Sequence, residues 1–181
     1  MTLRCSVFIA TSLDGFIARA DGSIDWLNEA NGVVPAGEDC GYAEHMATVD
    51  ALVMGRKTYE QVLTFGAWAY GETRVVVMSS HLDPLAPGAP TTVTASQETP
   101  AALAARLETE GCEHLYIDGG RTIAGFLEAG LIDELIITVI PILLGTGIPL
   151  FREQPADVHL ELISTRAYDF GFAQHRYRVK R

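Results

Sequence analysis

Residues 51–63 read ALVMGRKTYEQVL. Ala51 to Met54 form an apolar run of the length expected for a buried strand, and Gly55 ends it. Arg56 and Lys57 follow at once. From Lys57 the apolar positions Tyr59, Val62 and Leu63 fall on one face of a helix. Strand, glycine and helix make the first half of a parallel crossover. The adjacent cations are the anomaly, because a positive charge in the first turn of a helix opposes the helix dipole by about 0.3–1 kcal/mol. Either Arg56 and Lys57 form a solvated corner, or they face a bound anion that offsets this cost.

Two further strand ends have related chemistry. RVVVM (74–78) runs into Ser79 and Ser80, and HLYI (114–117) runs into Asp118-Gly119-Gly120-Arg121-Thr122. Helices are expected directly after the first and third of these ends, and their free amides favour an anion. The glycines allow close backbone approach to a phosphate. Arg56 offers a planar fork, and Thr58, Ser79 and Ser80 offer hydroxyls. Two phosphate subsites with a third set of hydroxyls fit a phosphorylated dinucleotide better than a single phosphate. In open α/β sheets such ligands lie beyond the carboxyl ends of the strands.

The rest of the chain fits that frame. LRCSVFIA (3–10) is a strand entering the core, and Asp14-Gly15 and Asp21-Gly22 are turn signals. Residues 28–41 are expected to be loop until about Asp39, followed by a short helix in YAEHMATVD (42–50). HLDPLAPGAP (81–90) reads as loop. Thr99 caps a helix that has Pro100 at its first position. RTIAGFLEA (121–129) is a helix with Ile123, Phe126 and Leu127 on one face, stopped by Gly130. DELIITVI (133–140) is a strand, and the C-terminal stretch is two strands around a turn near 169–171. Strands alternate with helices through the middle and stand alone at the end. The fold class is therefore α/β, a mostly parallel sheet with an antiparallel C-terminal edge, in one domain spanning 1–181.

Composition narrows the function. The formal net charge of −10 argues against a broad nucleic-acid surface but leaves room for a small anionic ligand. Three scattered cysteines make neither a disulfide framework nor a zinc site, and the five histidines lack ligand spacing, so no metal is expected. No signal peptide and no membrane span are expected, which points to the cytoplasm. Walker A, GxGxxG, GxSxG and HExxH patterns are all absent.

SLDGFIA (12–18), DGSIDW (21–26), VMGRKTYE (53–60), VVVMSS (75–80), YIDGGRTIAGFLEAGLIDEL (116–135) and PILLGTGIPLF (141–151) occur here in the order seen in the dihydrofolate reductase-like superfamily. The chain most resembles the branch that contains the C-terminal reductase domain of the riboflavin-biosynthesis protein and its stand-alone bacterial relatives. The resemblance covers nearly the whole chain. It implies a twisted, mainly parallel sheet and NADPH as hydride donor. It places the adenosine 2′-phosphate and pyrophosphate on Gly55, Arg56, Lys57 and Thr58, and the adenosine side on Ser79 and Ser80. It places the pyrophosphate also on Gly119, Gly120, Arg121 and Thr122. Ala10 and Ile17 would flank the nicotinamide, in a loop closed by Trp26, whose ring either stacks on a flat substrate or, the favoured reading, anchors that loop in the core. Two departures bear on the substrate: the riboflavin reductases carry a lysine where this chain has Phe8, and they are joined to a zinc deaminase.

Reduction of a C=N or C=O bond needs a proton at the acceptor heteroatom. Asp39 is the first candidate, at the place of the acidic helix residue of dihydrofolate reductases, and a carboxyl in an apolar pocket would be a better acid. Asp39 could equally cap the helix that starts near Gly41. Asp14 is a second candidate, and the alternative for it is an ordinary Asp-Gly turn. The apolar PILLGTGIPLF segment would be covered by a homodimer. The leading reading is an NADPH-dependent reductase of a small heterocycle or carbonyl compound, with activity of the 5-amino-6-(5-phosphoribosylamino)uracil reductase type among the options. The alternative is a non-catalytic NADP-binding sensor on the same fold.

Overall fold

A computed structural model describes residues 3–81 and 85–181. Residues 82–84, part of the loop expected over 81–90, lie outside the described residues. The strands are β1 (Arg4–Ser12), β2 (Phe16–Ala18), β3 (Ala51–Gly55), β4 (Arg74–Met78), β5 (Val93–Ser96), β6 (His114–Asp118), β7 (Glu134–Ile140), β8 (Ile148–Pro149), β9 (Leu160–Ala167) and β10 (Ala173–Val179). The helices are α1 (Asp25–Ala30), α2 (Tyr42–Met46), α3 (Arg56–Leu63), α4 (Pro100–Thr109) and α5 (Gly120–Glu128).

Eight strands form one sheet in the order β5-β4-β3-β6-β1-β7-β10-β9. All neighbours from β5 to β7 are parallel, and β10 and β9 add an antiparallel edge. β2 and β8 make a separate two-stranded antiparallel ribbon.

Burial on both faces explains why the central strands are continuously apolar. On one face, Val53, Val76, Leu115 and Ile117 pack with Leu103 and Leu107 of α4 and Ile123, Phe126 and Leu127 of α5. On the other, Leu52, Met54, Val75, Val77 and Tyr116 pack with Tyr59 of α3, and Tyr42 and Met46 of α2 lean on the same cluster. The connection β3–α3–β4 moves toward one edge of the sheet and β6–α5–β7 toward the other. Their helices therefore lie on opposite faces, as a single crossover hand requires. The adjacent strands β3 and β6 are the topological switch point.

The sheet also opens at its centre. β1 pairs with β6 over only three positions, ending at Ser6↔Tyr116. Beyond that point β1 stays with β7 up to Ser12↔Ile140, while β6 stays with β3 up to Met54↔Asp118. The seam leaves Phe8, Ile9 and Ala10 half-buried in the middle of an interior strand, between buried neighbours on both sides.

Two stretches depart from the sequence expectations. Residues expected as loop begin with α1 and a following 3-10 turn at Asn31–Val33. No side chain caps α1; burial of Trp26 against Ile140, Tyr168 and Phe172 holds it in place. β5 was not expected, since only Val93 and Ser96 of its four residues are buried. The cap at Thr99 holds as expected, its Oγ1 accepting from the amide of Ala102.

Candidate active site

β3 and β6 end side by side, and each passes directly into a helix. Gly55 caps α3 and Gly119 caps α5, neither with a capping side chain. The two turns interlock. A Cβ on Gly55 would stand 3.1 Å from Thr122 Oγ1, and a Cβ on Gly119 would collide with Thr58 Oγ1. Thr58 is the third residue of α3 and Thr122 the third of α5, so each helix's third residue occupies the space left by the other helix's capping glycine. Gly119 also has φ +87°, a backbone conformation that L side chains rarely adopt. Two helix N-termini with unoccupied amides thus converge at the switch point, an arrangement suited to a pyrophosphate.

The cations stand on this side. Arg56 Nη1 donates to Glu60 Oε1 at 2.8 Å on its own helix, and Lys57 and Arg121 are exposed. An exposed pair of this kind is weak and gives way to a phosphate. Ser79 and Ser80 follow β4, next to Gly55, which pairs with Met78. Ser79 Oγ accepts from the amide of His81. Thr122 is buried, whereas Thr58 is half-buried. Gly120 is used differently from the expectation: the room left by its missing side chain is filled by Ile17 Cδ1 at 3.1 Å and the Pro149 carbonyl oxygen at 3.2 Å. Its role is to seat the β2–β8 ribbon on the start of α5. Ala10 lines the seam from β1, and Ile17 leans over α5 from β2.

The environments of the two expected acids need correction. Asp39 is exposed and sits in no apolar pocket. Its Oδ1 accepts from the Gly41 amide and its Oδ2 from the Ala43 amide, each at 2.8 Å. These bonds, Ala43 first, hold its carboxyl below the usual range. It caps the start of α2. Asp14 is exposed too, and accepts from Ser12 Oγ at 2.6 Å and from the Leu144 and Gly145 amides at 3.1 and 2.7 Å. The Ser12 hydroxyl is the main cause of its lowered pKa. Asp14 clamps the SLDG turn to the loop after β7, and a carboxylate so well solvated by donors is a poor proton donor at neutral pH. Trp26 is also corrected: it is 1% exposed within the core formed with Ile140, Tyr168 and Phe172, so it has no ring face for a substrate.

The carboxyl that does meet the description of an acid is Asp118, the last residue of β6. It shares a face of the strand with Tyr116, toward α2 and α3. Burial pushes its pKa up to about 6, and one donor, the Gly119 amide at 2.8 Å, pulls the other way. Around it stand Tyr42, Tyr70 and Tyr116, each with a pKa raised by burial first and by the Asp118 charge second. Phe8, Trp68 and Tyr70 pack on the same cluster. The Tyr116 hydroxyl donates to the Phe8 carbonyl oxygen across the seam. The signal for Asp118 was present in the sequence, as a carboxylate closing a fully apolar strand just before Gly-Gly. Tyr42 and Tyr70 gave none, because only the fold brings α2 and the 64–73 segment to the end of β6.

Two surface clefts, of about 490 and 690 Å³, lie elsewhere. The first is lined by Phe151, Val158, Leu160 and their neighbours, and the second by Arg4, Arg176, Arg178 and others at the opposite ends of the strands. The convergence of strand ends, helix N-termini and the half-buried, largely desolvated Asp118 carboxyl marks the switch point as the site, and size alone does not.

Comparison with known proteins agrees with this geometry. The protein YwjB of Bacillus subtilis is 37% identical over 181 residues, covering 99% of this chain and all of that protein. A crystal structure of a putative riboflavin biosynthesis protein from Shewanella sp. PV-4 has a TM-score of 0.92 and 39% identity, covering 99% of this chain and 100% of that one. RibD of Acinetobacter baumannii shares the fold with a TM-score of 0.72 at 18% identity, covering 99% of this chain and 58% of RibD. The family model described as the RibD C-terminal domain matches residues 5–173. With a mostly parallel eight-stranded sheet and an antiparallel C-terminal edge of the dihydrofolate reductase-like kind, the chain belongs to the RibD C-terminal domain family.

Proposed function

We propose that the chain is an NADPH-dependent reductase that delivers a hydride to a C=N or C=O bond of a small heterocyclic or carbonyl substrate. The observation that carries this reading is the interlocked pair of glycine-headed helix N-termini beside the seam between β1 and β6. The residues fit the cofactor: Gly55 and Gly119 leave backbone amides approachable, and Arg56, Lys57, Thr58 and Arg121 supply charge and hydroxyls for its phosphates. Ser79 and Ser80 would face the adenosine, and Ala10 and Ile17 the nicotinamide. When bound, NADPH supplies the hydride.

The chain's own residues supply position and proton. The Asp14 clamp and the seating of Ile17 on Gly120 fix the ribbon that covers the seam. Asp118, whose pKa burial raises to about 6, is protonated in roughly one molecule in ten at pH 7, far more than an ordinary carboxyl, and can give a proton to the acceptor heteroatom. Asp118 would give its proton to the nitrogen or oxygen of the reduced bond, and solvent would restore the acid. A homodimer belongs to this reading. Leu143 is 68% exposed in the loop after β7, and β9 leaves Leu162 and Ile163 uncovered, so a second copy gives both surfaces a partner.

The test is a titration of NADPH and NADH followed by quenching of protein fluorescence, then NADPH oxidation against pteridine, pyrimidine and quinone panels. NADPH should bind at least ten-fold more tightly than NADH, and one panel should consume it. If neither nucleotide binds, the reading falls. If NADPH binds and no panel consumes it, the chain is an NADP-binding sensor.

A further inference from the structure

The last sixteen residues, 166–181, hold five of the chain's 13 lysines and arginines and a single acid, Asp169, so positive charge collects there in a chain of net charge −10. The fold gathers much of it at one place. The cleft of about 690 Å³ at the amino ends of β1 and β7 is lined by Arg4, Arg176, Arg178 and Arg181, together with Asp133 and Glu134. The two carboxylates lie beneath the guanidiniums. The side chains of Glu134 and Asp133 are 15% and 28% exposed, whereas those of Arg176, Arg178 and Arg181 are 46%, 62% and 60% exposed. Arg176 and Arg178 stand two residues apart on β10 and so share one face of the strand. Arg176 donates to Glu134 through Nε and Nη2 at 2.7 and 3.1 Å, and Arg178 Nη1 turns to Glu161 at 2.9 Å. Arg181 donates to Asp133 Oδ1 at 2.6 Å, and Asp133 Oδ2 is tied below, accepting from the Cys5 amide at 2.8 Å. Among the described residues Arg4 has no carboxylate partner; its Nη2 lies 2.9 Å from His114 Nδ1.

We propose that this cleft is a second ligand site, for a small polyanion carrying two or more phosphate or carboxylate groups. A guanidinium is a planar fork with five donors, and one carboxylate engages only one of its edges. The donors left over belong to the exposed cations, and the carboxylates that offset them are the covered groups. Four guanidiniums against two carboxylates leave the lining positive, and a concave surface of one sign concentrates anions. The exposed ion pairs already present are weak and yield to a stronger partner. A ligand with one charge gains a single charge-assisted contact, whereas a polyanion reaches several forks at once. The cofactor turns lie at the other end of the sheet, at the carboxyl ends of β3 and β6, so this is a separate site.

The experiment is a titration of the native full chain with tripolyphosphate and with citrate in low-salt buffer, followed by backbone amide NMR. One or both should shift amides at 3–4, 133–134 and 176–181, with an affinity at least ten-fold above that of inorganic phosphate. These shifts are counted apart from any at 55–58 and 119–122, the cofactor turns. Arg178→Gln combined with Arg181→Gln should weaken the cleft response at least five-fold. Should that double variant fail to fold, either single substitution should show at least a two-fold loss. Arg152→Gln combined with Arg166→Gln removes the same charge elsewhere on the surface and should leave the response within two-fold. A short oligothymidylate should bind the cleft no more tightly than tripolyphosphate. Four results overturn the proposal. Shifts confined to the cofactor turns mean that the polyanion uses those alone. No shift in the cleft, or an equal loss in both double variants, means an adventitious ion only. Tighter binding of the oligothymidylate means a nucleic-acid surface.

Discussion

The Tyr116 hydroxyl donates to the Phe8 carbonyl oxygen at 2.7 Å, spanning the point where β1 and β6 separate. Past Ser6 the two strands no longer form a ladder, so a side chain takes over where backbone pairing stops. The seam can thus exist without a dangling carbonyl at its root. Tyr116→Phe should destabilise the fold by about 1–3 kcal/mol, the cost of a buried acceptor left unpaired. Urea unfolding should show a lower midpoint with an unchanged slope. A midpoint equal to that of the native protein would mean that the seam is held elsewhere.

Gly119→Ala should be doubly harmful. The new methyl meets Thr58 Oγ1, and the backbone at φ +87° is strained for any residue with a side chain, at roughly 1–3 kcal/mol. Adding Thr58→Ala removes the collision but not the strain. Thermal melts of the double variant should therefore recover part of the loss and no more. Full recovery would mean that the backbone at 119 relaxes freely.

Arg56→Ala tests the identity of the cofactor. Loss of a charge-assisted bond to a phosphate should weaken NADPH by about 1.5–3 kcal/mol, or roughly 10- to 100-fold, and leave NADH almost unchanged. Equal losses for the two nucleotides would place Arg56 away from the 2′-phosphate.

Two groups shifted by desolvation give opposite pH signatures. If Asp118 is the proton donor, turnover should fall as pH rises through about 6, and Asp118→Asn should remove that limb along with most of the rate. His45 concerns stability. Its pKa is lowered to about 4 from an ordinary 6.5, chiefly by burial, so the unfolded chain binds the proton first. Its contribution is complete above about 6.5 and is lost as pH falls toward 4. His114 is lowered too and adds in the same direction. His45→Phe should flatten this acid slope in melting temperature between pH 6.5 and 4. An unchanged slope would assign the acid sensitivity to other groups.

Leu143→Glu and Leu162→Glu check the second copy. If the loop after β7 and the β9 edge are covered by another chain, one or both substitutions should halve the mass measured by light scattering. A protein already monomeric before substitution removes the dimer from the account.

Much of this architecture was legible in the chain. ALVM, RVVVM and HLYI are apolar enough to declare themselves as central parallel strands, and the capped start at Thr99-Pro100 located α4 correctly. Gly55, Arg56, Lys57, Thr58, Gly119 and Thr122 sit at the two helix starts where the spacing put them. The substrate side was read less well. Asp39 resembled a catalytic acid by its position along the chain, yet local hydrogen bonds to Gly41 and Ala43 claim its carboxylate. Of the two readings open for Trp26, stacking platform or core anchor, the structure shows the favoured one, the anchor of α1. Asp118 was in view at the end of HLYI, but its raised pKa comes from burial at the seam, a property of how strands from different parts of the chain diverge. Tyr42 and Tyr70 stand 28 residues apart in sequence and meet the same carboxyl only because α2 and the segment after α3 cover one face of the sheet.

The exchange between Gly55 and Thr122, and between Gly119 and Thr58, has an evolutionary consequence. Four positions in two distant segments share one small volume, so none can change size alone. A bulkier residue at either glycine is tolerable only with a smaller one at the threonine of the opposite segment. In related chains the four should drift as two linked pairs, Gly55 with Thr122 and Gly119 with Thr58.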